Sequence, residues 1–297
     1  MQLQDKFREK ALDPALRLIE ITGAHPHLLQ QLVGKDDVHD FGTESTDALR
    51  KFRVGGEQFS KTVYGVVDAA LSRVYSAIYV FKTPKPITGF ADVPGNVSHI
   101  LNYRARTQLN GAPSALIFYS ITNIRGADGM PLLQGAGTML ISALLNEPSL
   151  PPAIKSTLSP LRTLSKSIVL EDGETLSDDD RFALAFAHLM QATNPVQRFH
   201  MGNGAEIGDI KLRATTNPHA PDAVQGLKVM VNYDYSIPAE KRAENRARFA
   251  AIAKGNASPE DLVSLSGKRV QDELGRLNGH VEAMRARLTA RGRTLTA

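Results

Sequence analysis

Cysteine is absent from the 297-residue chain, which excludes a disulfide framework, a thiolate metal site and a thiol nucleophile. No apolar run approaches the roughly 18 residues that a membrane-spanning helix needs. The opening Met1-Gln2-Leu3-Gln4-Asp5-Lys6 lacks the charged-then-apolar layout of a signal peptide. The expectation is a soluble, cytoplasmic protein that binds no membrane. His-Glu-x-x-His and similar metal-binding spacings are missing, and His25-Pro26-His27 stands too close in sequence for a chelating helix pair. No catalytic metal is expected. There is no Gly-x-Ser-x-Gly elbow, no internal repeat and no low-complexity segment.

Charge of one sign is scarce as well. The net charge is +4, and the stretch from Glu240 to the end, with twelve basic and seven acidic residues, carries all of that surplus. A basic tail can bind nucleic acid. Here acids are interspersed and aromatic stacking residues do not accompany them, so a solvated helix face is expected and no nucleic-acid partner.

What is present reads as a mixed α/β chain long enough to bury its own core. Asp13-Pro14 ahead of Ala15-Leu16-Arg17-Leu18-Ile19 has the form of a cap and first turn, predicting a helix that stops near Gly23 or Pro26. Residues 35–60 read as polar and irregular. Strands are predicted at Val63–Val67 and Tyr75–Phe81, with a turn over Lys82–Pro86. Ser114–Ile124 is the clearest buried strand. A Gly-rich loop and a helix over Thr138–Leu145 follow it, making a βα unit. Ser177-Asp178-Asp179-Asp180 opens another helix with acids in its first turn. Two late strands are expected, Ala205–Leu212 and Leu227–Tyr235, the second half-buried because apolar and polar residues alternate. Beyond Pro238 the chain turns helical, and Ser258-Pro259-Glu260-Asp261 has the form of a capping box. Val270, Leu274, Leu277, Val281, Met284 and Leu288 form an a/d seam. Two uses are open to it: docking on its own domain, or homo-oligomerisation through the C-terminal helices.

Three segments could carry chemistry. Gln134-Gly135-Ala136-Gly137-Thr138 lies between the best strand and a helix, where open backbone N–H groups suit a pyrophosphate; on local grounds it serves equally as a plain turn. Ser159, ahead of Pro160, reads locally as a strand-end or turn residue. His200, between Phe199 and the turn at Asn203-Gly204, could act as a general acid at the mouth of a strand, although a structural role is the more common use of such a residue.

Taken together these segments resemble the malonyl-CoA decarboxylase family. The resemblance is carried by Phe199-His200-x-x-Asn203-Gly204-Ala205 and, some thirty residues on, by Met230-x-Asn232-Tyr233-x-Tyr235. Upstream it is carried by Ile117-Phe118-Tyr119-Ser120-Ile121, Gly137-Thr138-x-Leu140-Ile141 and Leu158-Ser159-Pro160, and more weakly by Ala24-His25-Pro26. It covers roughly residues 10 to 240. It implies a GNAT-like acyl-CoA N-acyltransferase fold, a mixed central sheet flanked by helices, with residues 1–237 as the catalytic domain. Residues 238–297 would then be a C-terminal helical extension, and the usual N-terminal helical domain is not expected. By the same resemblance Ser159 and His200 match the catalytic serine and histidine, Tyr235 lines their site, and Asn203 supports it. Gln134 to Thr138 match the loop that holds coenzyme A. The implied reaction converts malonyl-CoA to acetyl-CoA and CO2, a step of fatty acid metabolism, with the coenzyme A thioester as substrate and no separate cofactor. The glutamate that family members carry before the Gly-Thr pair is replaced here, and Asp128 is the nearest acid upstream. That replacement supports the alternative of an acyl-CoA-dependent acyltransferase acting on an amine or a carrier-protein thiol. A catalytically silent binding protein is a third reading, against which Ser159 and His200 both stand.

Overall fold

The computed structural model describes residues 13–21, 24–32, 61–83, 115–148, 150, 154–157, 159–161, 175–212, 229–277 and 279–292. They form two compact units, one drawn from residues up to 156 and the other from residue 157 onward.

In the first unit four antiparallel strands pair in chain order: β1 (Leu16–Glu20), β2 (Lys61–Asp68), β3 (Val74–Thr83) and β4 (Ala115–Asn123). Side chains alternate across a strand, and both phases of β2 and β3 are buried. Val63, Val67, Val74 and Ala77 join Ile21, Leu28, Leu29 and Leu32 in one core cluster, while Val66, Ile78 and Val80 of the other phase are closed to solvent too. Helix α1 (Pro26–Leu32) supplies the three leucines, and helix α2 (Ala136–Asn146) packs on β2, β3 and β4. Strand β5 (Ile154–Thr157) begins in this unit, where Lys155 Nζ donates to the carbonyls of Leu144 and Leu145 at 3.3 and 3.0 Å. A cation there favours the C-terminal end of α2.

The helix expected after Asp13-Pro14 is instead strand β1. Asp13 Oδ1 accepts the Ala15 N–H and the Asp13 carbonyl accepts the Leu16 N–H, which closes a turn rather than opening a helix. Registry with Leu16 opposite Asp68 and Glu20 opposite Tyr64 then gives the segment its hydrogen bonds. Pairing along the edge of a sheet outweighs a local cap worth about 1 kcal/mol. Pro26 starts a helix where one was expected to stop, as suits proline at a first helical position. Lys82 and Thr83, read as the start of a turn, are instead the end of β3; Pro84–Pro86 and the stretch 35–60 lie outside the described residues.

In the second unit β6 (Ser159–Pro160) and β7 (Glu206–Lys211) both pair antiparallel with β8 (Met230–Asp234). Flanked on both sides, β8 is buried at Val229, Met230, Val231, Asn232 and Tyr233 alike, so the strand read as half-buried from its alternation is buried on both faces up to Asp234 at its end. Helix α3 (Asp178–Met190) opens with the capping box of Ser177 and Asp180. Helices α4 (Pro195–Gly202) and α5 (Ala239–Ala253) follow, and then a 3-10 helix over Pro259–Leu265 with the Ser258 capping box. Among the described residues no helix is long and apolar enough to cross a membrane.

The a/d seam does not run along one rod. It is broken into α6 (Lys268–Arg276) and α7 (His280–Gly292) at Gly279, whose φ is +78°. Helix α6 packs on β7 and α7 along α3, and the seam residues Val270, Leu277 and Leu288 are buried inside this unit. Arg276 pairs with Asp179 at 2.5 Å, and His280 Nε2 lies 2.7 Å from Asp180 Oδ1. Replacing Leu288 by alanine is expected to lower unfolding stability by about 2–5 kcal/mol, the range for a buried leucine. Urea denaturation checks it, with the midpoint falling and the slope unchanged.

Candidate active site

Helix α4 carries His200 and is built by local rules. Asn194 caps it, its Oδ1 accepting the N–H groups of Val196 and Gln197 at 3.0 and 3.1 Å, and Pro195 takes the first helical position. At the other end Asn203 Nδ2 donates back to the Phe199 carbonyl at 2.7 Å. Gly204 then reverses the chain at φ +90°, and a Cβ at this position would lie 2.4 Å from the Arg242 carbonyl oxygen. Only glycine fits both demands. The Asn-Gly-Ala part of the motif is therefore a helix stop pressed against α5. His200 stands in the last turn of this helix and not at the mouth of a strand.

The imidazole of His200 is held on several sides. Its Nδ1 is 2.9 Å from the Tyr235 hydroxyl and its Nε2 is 3.4 Å from Ser159 Oγ. The Tyr233 ring stacks on it at 4.9 Å with planes 23° apart, and Phe199 meets it edge-on at 5.1 Å. Ser159 Oγ is in turn 3.3 Å from Thr157 Oγ1. Thr157 is fixed by β8, its hydroxyl oxygen accepting the Tyr233 N–H at 3.1 Å and its carbonyl accepting Asn232 Nδ2 at 2.6 Å. Arg242 steadies the segment after β8 by donating to the carbonyls of Tyr235 and Ile237 at 3.4 and 2.8 Å. Burial pushes the His200 imidazole down to about 3 and drives both tyrosine hydroxyls upward. At neutral pH this is a cluster of uncharged hydrogen-bonding groups.

Residues 182–271 match the malonyl-CoA decarboxylase C-terminal domain. His200, Asn203 and Tyr235 lie inside the matched stretch, Ser159 and Gln134 to Thr138 outside it. Malonyl-CoA decarboxylase structures share the fold over most of the chain. The Rhodopseudomonas palustris enzyme aligns with a TM-score of 0.58 at 21% identity, covering 87% of this chain and 62% of its own. The Agrobacterium vitis enzyme gives 0.57 at 22% identity, covering 86% and 68%. The Cupriavidus metallidurans enzyme gives 0.51 at 18%, covering 88% and 68%. No curated protein sequence matches the chain. The resemblance read from the motifs agrees with this match, and the fold is the mixed α/β one of those decarboxylase structures.

The decarboxylase-type motifs bring Ser159, His200 and Tyr235 together. Asn203 supports the end of α4 and makes its side-chain bond to backbone. Gln134 to Thr138 belong to the first unit. There Gly135, at φ +75°, is the N-cap of α2 without a side-chain capping bond, and no acid occupies the first turn. Open N–H groups and the positive end of the helix dipole would suit a phosphate there. The Asp128 carboxylate accepts the Met130 N–H at 3.0 Å within the preceding turn. Among the described residues no three His, Asp or Glu side chains are grouped to hold a metal ion.

Two neighbours of the site, Thr157 and the motif residue Tyr233, have no site role assigned from the sequence. Thr157 ends β5 two residues before Ser159 of β6, and Tyr233 of β8 stands two before Tyr235, a spacing that a continuous strand would put on one face. Helix α4 was not among the expected elements; its signal in the sequence is Asn194-Pro195, a capping side chain ahead of proline. Gly204→Ala is expected to cost at least the roughly 1–2 kcal/mol of a left-handed non-glycine residue, with the contact to Arg242 adding to it; a lower melting temperature in calorimetry, together with loss of His200's native NMR shifts, checks it.

Proposed function

We propose that the protein removes CO2 from malonyl-CoA, or a close relative, to give acetyl-CoA. The observation that carries this reading is the uncharged, buried cluster of Ser159, His200 and Tyr235 on the very residues that match the decarboxylase motifs. Decarboxylation breaks the bond between the α-carbon and the carboxylate. The electron pair moves into the thioester as an enolate, CO2 leaves, and a proton from solvent water ends on the α-carbon. A cation beside the carboxylate would stabilise the ground state, whereas neutral donors aimed at the thioester oxygen favour the enolate. Ser159 and His200 are 5% and 6% exposed, against 1% for Tyr235, so a substrate would meet the serine and the imidazole edge. An imidazole held neutral acts as a hydrogen-bond donor rather than as an imidazolium acid, and here the donor it faces on the substrate side is Ser159 Oγ, 3.4 Å from Nε2. The GNAT-like fold and the open N-terminus of α2 support an acyl-CoA as the substrate class. The acyltransferase alternative draws on the replaced loop glutamate, for Gln134 and Ala136 bring no carboxylate.

Mass spectrometry of the protein incubated with malonyl-CoA alone tests the reading. Acetyl-CoA should form with no acceptor present, and His200→Ala should lower the rate about 10²-fold or more; intact malonyl-CoA would turn the assignment to the acyltransferase. The pH dependence has a definite sign. With His200 pushed down to about 3 and the tyrosines pushed up, none of the three titrates near neutrality. The turnover number should therefore stay flat from about pH 6 to pH 9, where an imidazolium acid of ordinary pKa would lose activity as pH rises through about 6.5.

A further inference from the structure

The direction of each hydrogen bond in the cluster can be worked out from the carbonyl of His200. That oxygen accepts the N–H groups of Asn203 and Ala205 at 3.1 and 3.2 Å. It is engaged on the backbone side, although the Asn203 N–H is shared with the Phe199 carbonyl, also 3.1 Å away. The Tyr235 hydroxyl lies 3.4 Å from it but 2.9 Å from His200 Nδ1, so the phenolic proton goes to Nδ1. A neutral imidazole that accepts at Nδ1 carries its proton on Nε2. Nε2–H then points at Ser159 Oγ, 3.4 Å away.

Thr157 approaches the same oxygen from the other side. Its hydroxyl oxygen already accepts the Tyr233 N–H, and its carbonyl is tied to Asn232. Thr157 is 0% exposed, and Ser159 Oγ, 3.3 Å away, is an acceptor within reach of its proton. Of the two residues Thr157 is closed to solvent and Ser159 is 5% exposed, so Ser159 is the one given an outward path for its proton.

We propose that Thr157 is a positioning residue of the site: Thr157 and the Nε2–H of His200 both donate to Ser159 Oγ, which turns the Ser159 proton out to the thioester oxygen and makes Ser159 a donor, not a nucleophile. The identity of the substrate rests on the decarboxylase reading; the direction of the hydrogen bonds does not. With both lone pairs of Ser159 Oγ engaged and no base receiving its proton, the oxygen is not activated for attack on a thioester. The same three groups with the imidazole proton on Nδ1 would form a nucleophilic pair, so one proton's position separates enolate stabilisation from acyl-enzyme chemistry.

Long-range proton–nitrogen correlation NMR on the full chain, labelled with 15N-histidine and free of ligand, reads this position directly. The expected pattern for His200 is a protonated Nε2 and an unprotonated, pyridine-like Nδ1; a protonated Nδ1 overturns the proposal. In turnover with malonyl-CoA, Thr157→Val, which keeps the shape and removes the hydroxyl, should lower kcat about 10- to 10²-fold with KM within about twofold. Thr157→Ser should restore most of the rate. Equal losses in both variants, an unchanged kcat in Thr157→Val, or an acyl group on Ser159 in intact-mass spectra would each overturn it. If the wild-type chain leaves malonyl-CoA intact, the decarboxylase reading fails, while the NMR spectrum still decides the tautomer.

Discussion

The contact on which the second unit depends is the approach of the Gly204 backbone to the Arg242 carbonyl. It leaves no room for a side chain, and it fixes where α4 ends relative to α5. Because His200 stands in the last turn of α4, the same contact sets the position of the imidazole. From there the consequences run through hydrogen bonds: His200 to Tyr235 on one side and to Ser159 on the other, and Ser159 to Thr157. Strand β8 completes the arrangement, since its backbone and Asn232 hold Thr157 while Tyr233 covers the imidazole face.

Burial gives this cluster its chemical character. A histidine in water would be partly protonated near pH 6.5. Stacked on Tyr233 and enclosed by Phe199 and Tyr235, it pays for desolvation by staying neutral. The protonation that unfolding permits and folding refuses also means that stability from this residue declines as pH falls below about 6.5 toward 3. Neutrality and tight packing thus come from one cause. The tyrosines respond in the opposite sense, since burial disfavours their anions, and so every member of the group is held in its uncharged form.

Much of this was legible in the sequence, and the losses have physical reasons. The β-branched runs at Val63–Val67 and Ser114–Ile124 and the capping signals at Ser177 and Ser258 gave elements of the expected type, because there local preference and tertiary packing agree. At Asp13-Pro14 they disagree, and pairing with β2 prevails. The alternation in β8 suggested an exposed face, but neighbours on both edges and packing on both sides bury Asn232 with Val231 and Tyr233; periodicity reports which residues share a face, not what lies above it. In the site, Ser159, His200 and Tyr235 came from motifs quoted together, while none of them stood out by local pattern alone. Neither Thr157 nor Tyr233 carries a site role in the sequence, because a threonine or tyrosine in a strand is ordinary by composition; their importance lies in partners about thirty-three and seventy-five residues away, the Tyr233 ring on His200 and the 3.1 Å bond between the Tyr233 N–H and Thr157.

The docking of the C-terminal helices α6 and α7 on their unit has two components of unequal weight. Arg276 to Asp179 and His280 to Asp180 are exposed or half-exposed pairs, and such pairs contribute about 0–1 kcal/mol each and weaken with salt. Leu277 and Leu288 are buried and carry the larger share. The charged rim is therefore free to drift in evolution while the helix stays in place, provided that the apolar spacing survives. Relatives of this chain would keep the C-terminal helices docked through sequences that share almost no surface residues.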